Sequence, residues 1–94
     1  MGGSATVTRD LEIVNKRGLH ARASARFVQL AAGFRSDITV EKDGVSVGGS
    51  SIMGLMMLAA SPGCSIRVTA KGPDAEEAVA AIAALVADRF GEEA

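Results

Sequence analysis

The hydrophobic period of this chain changes on the two sides of Gly18, so one short segment divides two kinds of secondary structure. Before it, Val7, Arg9, Leu11 and Ile13 alternate with Thr8, Asp10 and Glu12. A period of two places alternate side chains on opposite faces, which describes a strand with one buried face. Asn15-Lys16-Arg17-Gly18 then supplies turn chemistry. From Ala21 onward the apolar positions Ala23, Phe27, Leu30, Ala31 and Phe34 recur at threes and fours, the mark of a helix, and Gly33 is expected to end it in a left-handed conformation.

The same two periods alternate through the remainder. Ile38–Lys42 and Val45–Val47 flank Asp43-Gly44, a pair in which both residues tolerate positive φ, so a tight hairpin is predicted. Ser51 is placed to cap a helix from Ile52 to about Ala59, which Ser61-Pro62-Gly63 closes. Ile66, Val68 and Ala70 alternate with Arg67 and Thr69 as a fourth strand. Asp74, with a glutamate three residues on, follows the logic of a capping box for a last helix, whose apolar stripe is Val79, Ile82, Leu85, Val86 and Phe90. Strands with one apolar face and helices with one apolar stripe pack as two layers. The expected class is α+β, in the order strand, helix, strand, strand, helix, strand, helix, with a four-stranded antiparallel sheet covered on one face by three helices.

A chain of 94 residues is expected to form a single domain spanning 1–94, with residues 1–6 frayed. Met1-Gly2-Gly3-Ser4-Ala5-Thr6 fits a loose myristoylation pattern, but the pattern is short and common and is set aside. No apolar run reaches membrane-spanning length, and the amino terminus lacks a secretion signal, so no membrane partner is expected. The lone Cys64 excludes an internal disulfide, and a cytoplasmic, reducing environment is the simpler expectation. A net charge of −1 with neither Trp nor Tyr argues against nucleic acid, which calls for a basic face and stacking rings. One His and one Cys, far apart in the chain, argue against a closed metal site, and no cofactor is implied. Protein partners remain.

The one histidine, His20, stands where strand-like sequence gives way to helix-like sequence, with Arg22 two residues later. At a helix start, unpaired amides and the positive end of the dipole converge on whatever the imidazole carries, and an anion suits them. The amides of Ala21 and Arg22 would face such a load and the Arg22 guanidinium would add a charge-assisted contact, while Lys16 and Arg17 either solvate the loop, the simpler reading, or raise the local positive field. The second predicted helix has its own signature. Leu55 and Leu58 lie on one side as core, whereas Ile52, Met53 and Met56 point another way and form an exposed patch whose flexible methionines suit varied partners.

Three segments in order, Gly18-Leu19-His20-Ala21-Arg22, Gly33-Phe34 with Ser36–Val40, and Ser51-Ile52-Met53-Gly54-Leu55-Met56, resemble the HPr/NPr family of histidine-containing phosphocarriers of the bacterial phosphotransferase system. The resemblance runs from about Leu11 to about Phe90 and implies the open-faced β-sandwich of that family. It also implies that His20 accepts a phosphoryl group on Nδ1 from Enzyme I, with Arg22 stabilising the phosphate, and that IIA-type proteins receive it. The chain would then be a substrate of phosphotransferases rather than an enzyme, and a monomer, since it must visit several partners. The patch of Ile52, Met53 and Met56 would be the docking surface, and Ser51 falls where family members that are targets of HPr kinase/phosphorylase carry a regulatory serine. Ala23 stands where many members have proline. Alanine keeps the helix start but loosens it slightly. Sugar uptake and nitrogen-related signalling share the motif; the run Ala21-Arg22-Ala23-Ser24 tilts toward the nitrogen-related or regulatory branch. A regulatory module whose two phosphorylation states bind different targets is compatible with carriage.

Overall fold

The computed structural model describes residues 5–93, and the expectations for Met1–Ser4 lie outside them. The elements are β1 (Ala5–Glu12), α1 (Ala21–Ala31), β2 (Asp37–Lys42), β3 (Val45–Gly48), α2 (Ile52–Met57), β4 (Ser65–Gly72) and α3 (Ala75–Ala87), followed by a single 3₁₀ turn at Arg89–Gly91. The element order is the one expected from the alternating periods. Ala5 and Thr6, expected to fray, instead pair with Gly72 and Lys71, because the strand continues as far as β4 can bond it.

The four strands form one antiparallel sheet in the order β1-β4-β2-β3. Residues directly opposite one another in neighbouring strands share a face. Val7, Ala70 and Ile38 form one row beneath the helices, Leu11 and Ile66 a second. The third row joins Arg9 to Val68 and Val40, and there the edge position of β1 lets the Arg9 side chain run out to solvent. The other face is polar: Thr8, Thr69 and Thr39 form one rung, and Asp10, Arg67 and Glu41 the next. Arg67 Nε donates to Asp10 Oδ1 at 2.9 Å, an exposed pair that contributes little to stability.

The helices lie on the apolar face, with Phe27, Phe90, Ile13, Leu55, Ile66 and Ile82 as the largest fully buried side chains. Phe34, the third phenylalanine, is half-buried against this core. Asp43 (φ 52°) and Gly44 (φ 81°) take the paired left-handed turn that the hairpin requires. Among the described residues no helix is long and apolar enough to cross a membrane.

Several boundaries depart from expectation. Gly33 does not adopt positive φ; α1 ends at Ala31 in right-handed turns, with the amides of Gly33 and Phe34 donating to Leu30 O and Ala31 O. The helix therefore tightens instead of reversing. The α2 helix stops at Met57, and the reversal occurs at Ala59 (φ 53°), before Ser61-Pro62-Gly63. Asp74 occupies the N-cap position of α3, but its carboxylate accepts from Ser36 Oγ at 2.6 Å and Arg35 N at 2.9 Å. Tertiary donors have taken the oxygen that local capping would use, and they hold the Asp74 carboxyl below its ordinary pKa. Phe90 is buried but is not part of α3, because Arg89 and Phe90 both turn left-handed and redirect the chain.

The loop between β1 and α1 is clamped to the loop between α2 and β4. The amide of Ile13 donates to Cys64 O at 2.8 Å, Gly63 N to Ile13 O at 2.9 Å, and Leu19 N to Ala60 O at 2.9 Å. Gly18, at φ 66°, lies so close to Ala60 that a Cβ would overlap its carbonyl oxygen. Only glycine satisfies both the dihedral and the space. Gly18→Ala is therefore expected to lower unfolding free energy by about 2–4 kcal/mol, combining left-handed strain with overpacking. Urea denaturation checks this, and a midpoint equal to wild type would contradict it.

Candidate functional site

The clamp delivers His20 to the N-cap of α1, where its backbone is extended (φ −74°, ψ −177°). Its carbonyl accepts from Ser24 N at 2.9 Å, so the amides of Ala21, Arg22 and Ala23 precede the first intrahelical bond. The approach is held from three sides. Leu19 is buried, Ser24 Oγ donates to Leu19 O at 3.2 Å from inside the first helical turn, and Asn15 Nδ2 donates to Gly18 O at 2.9 Å across the preceding turn. The His20 side chain does not cap the helix; it turns toward the end of the chain.

There it meets Glu92. The His20 Nε2 atom hydrogen-bonds to Glu92 Oε2, while Glu92 Oε1 accepts from Asn15 Nδ2 at 3.0 Å. His20 and Glu92 side chains are 18% and 15% exposed, so the pair is largely covered yet still reaches solvent. Burial pushes the Glu92 carboxyl up, but hydrogen bonds from Asn15 and His20, with the positive potential of His20 and Arg17, outweigh it and leave its pKa below the ordinary carboxylate value. The other ring nitrogen is different. Among the described residues Nδ1 has no hydrogen-bond partner, and it is not among the buried unpartnered atoms.

Arg22 is exposed on the first turn of α1 and makes no ion pair among the described residues. Its guanidinium is available to an anion arriving at that end of the helix. Lys16 and Arg17 are exposed in the preceding turn. Ser51 caps α2 as expected: its Oγ accepts from Gly54 N at 2.9 Å. Leu55 and Leu58 are buried, whereas Ile52, Met53 and Met56 are exposed at 39%, 71% and 40%. Met57 and Val14, which sequence periodicity did not assign to that patch, are exposed as well. Helix α2 packs against α1, the helix whose N-cap is His20.

Glu92 and Asn15 were missed by sequence reasoning. Asn15 read as turn chemistry, and Glu92 lies 72 residues from His20 in a segment without periodicity. The available signal was Phe90-Gly91: a large apolar residue followed by glycine after the last helix implies a buried anchor and a reversal, and therefore a tail that returns to the body of the domain.

Comparison with known proteins identifies the family. Residues 7–88 match the family model described as PTS HPr component phosphorylation site. The phosphocarrier protein HPr of Cupriavidus necator is 51% identical over 84 residues, covering 89% of this chain and 94% of that protein. The HPr-like protein Crh of Bacillus subtilis is 48% identical over 80 residues, covering 85% and 94% respectively. The crystal structure of HPr-C-His from Thermoanaerobacter tengcongensis superposes with a TM-score of 0.89 at 48% identity, covering 94% of this chain and 99% of that one. With a matching sequence profile, close relatives over nearly the whole length and the same open-faced α+β sandwich, the chain belongs to the HPr family of the phosphotransferase system.

Proposed function

We propose that this protein is a cytoplasmic phosphoryl carrier of the phosphoenolpyruvate-dependent phosphotransferase system, loaded on His20 Nδ1 by Enzyme I and unloaded by IIA-type proteins. The observation that carries the proposal is the asymmetry of the ring at the N-cap of α1: Nε2 is engaged by Glu92, whereas Nδ1 has no partner among the described residues. A phosphoryl group passing through a loose transition state needs positioning and charge stabilisation more than covalent machinery. The amides at the start of α1 and the Arg22 guanidinium supply donors for the three equatorial oxygens. The protein is then an intermediate of phosphotransferases rather than a catalyst, and it acts as a monomer.

The exposed Ile52, Met53 and Met56 support docking of both partners on α2. Apolar side chains left in water on a six-residue helix gain free energy when a partner covers them, and methionine adapts to more than one partner. Ser51 borders this patch. A phosphate placed there by an HPr kinase/phosphorylase would be tolerated at a helix N-terminus, yet it would set a dianion in the docking surface and repel an acidic partner. The Ala21-Arg22-Ala23-Ser24 run tilts the proposal toward the nitrogen-related or regulatory branch, in which case a nitrogen-type IIA protein unloads His20 faster than a sugar-type one.

Incubation with phosphoenolpyruvate and Enzyme I is expected to give an acid-labile, base-stable phosphate on the wild type; label persisting in His20→Ala would refute the assignment. In the same assay Met53→Asp should retain the fold and slow loading by about tenfold or more, because it puts a charge in an apolar contact; unchanged transfer would remove α2 from the docking surface. With ATP and an HPr kinase, label is expected in wild type and absent in Ser51→Ala, and equal labelling of both would exclude Ser51.

A further inference from the structure

The proposal that follows rests on phosphoryl carriage by His20 and concerns what selects Nδ1. We propose that Glu92, oriented by Asn15, is a positioning residue that holds the proton of His20 on Nε2 and thereby keeps the Nδ1 lone pair free to take and release the phosphoryl group.

The hydrogen-bond inventory determines this arrangement. Asn15 is wholly buried, and its Nδ2 faces two acceptors, Gly18 O at 2.9 Å and Glu92 Oε1 at 3.0 Å. Only the amide nitrogen can serve both, so the Asn15 amide cannot be flipped without setting oxygen against oxygen. The alternative is visibly resisted, because Asn15 Oδ1 is left buried without a partner among the described residues while the donors stay where they are. Glu92 is an acceptor on both oxygens. With Oε1 receiving from Asn15, Oε2 faces Nε2 and can only accept, so the ring must donate from Nε2.

The tail that brings Glu92 there is itself anchored. Phe90 is buried, Arg26 Nη1 on α1 donates to Phe90 O at 2.9 Å, and Glu92 N donates to Arg89 O at 2.9 Å. Three successive left-handed residues, Arg89, Phe90 and Gly91, turn the chain back toward α1. The carboxylate is thus presented by the core and is not a side chain swinging from a free end.

The chemistry balances without a further reactant. In loading, the Nδ1 lone pair forms the N–P bond as the donor's bond to phosphorus breaks, and the donor's leaving group departs with the bonding pair. The ring keeps its Nε2 proton and becomes a cation facing the Glu92 carboxylate. In unloading, the acceptor's nucleophile bonds to phosphorus, the N–P pair returns to Nδ1, and the neutral Nε2–H ring is regenerated. A proton on Nδ1 would block the first step, so the carboxylate acts on both.

Glu92→Gln tests this, because it is nearly isosteric and reverses one polarity. The fixed Asn15 donor draws the glutamine oxygen toward itself, which aims the glutamine NH₂ at Nε2 and forces the ring proton onto Nδ1. Nitrogen-15 spectra of His20 recorded at about pH 9, above the usual imidazole range, should show Nε2–H in the wild type and Nδ1–H in the variant. Loading from potassium phosphoramidate, a small donor that expels ammonia and needs no protein docking, should be slower in the variant by roughly tenfold or more. The same tautomer in both proteins, or equal loading rates, would overturn the proposal. If the spectra differ as expected but wild type takes no label from phosphoramidate or from Enzyme I, carriage by His20 is what fails, and the tautomer control by Glu92 stands as a separate result.

Discussion

Everything at the functional end of the molecule depends on how closely Gly18 approaches the Ala60 carbonyl. The contact joins the two loops that flank the site, one leading into α1 and the other leaving α2. Glycine permits it twice over, by its left-handed dihedral and by the absence of a Cβ. With that approach made, Leu19 donates to Ala60, its side chain enters the core, and the next residue has little choice of position. The histidine is placed by backbone packing before its own side chain forms any bond.

The ring's orientation has a second origin, at the opposite end of the sequence. Burial of Phe90 fixes a turn, Arg26 of α1 secures that turn through its carbonyl, and Glu92 emerges beside the imidazole. Among the described residues the arrangement leaves one buried side-chain acceptor, Asn15 Oδ1, without a bond, in a protein too small to waste stability. Local structure that gives up a hydrogen bond while ordering a reactive group is characteristic of positions where geometry matters more than stability.

The α2 segment resolves a different tension. Six residues make too few turns to bury a helix on all sides, so Leu55 goes inward and the remaining large side chains meet water. Such a helix is marginal by propensity alone, and its first turn is secured by the Ser51 hydroxyl accepting from Gly54. An exposed apolar surface on a capped helix is the outcome, packed against the helix that begins at the histidine.

Alternating periods, the Asp43-Gly44 turn and the Ser51 cap are local signals, decided within a few residues by sterics and hydrogen bonding, and they alone determined the element order, the sheet's apolar face and the positions of His20, Arg22 and the α2 patch. Where local and distant partners compete, local rules lost. Asp74 left its cap for Ser36 and Arg35, Gly33 stayed right-handed because the chain tightened without it, and Phe90 left the helix to fill the core. The meeting of Asn15, His20 and Glu92 was decided only in three dimensions, because nothing in the spacing of residues 72 apart encodes a hydrogen bond; it follows from where the buried Phe90 lets the chain turn back.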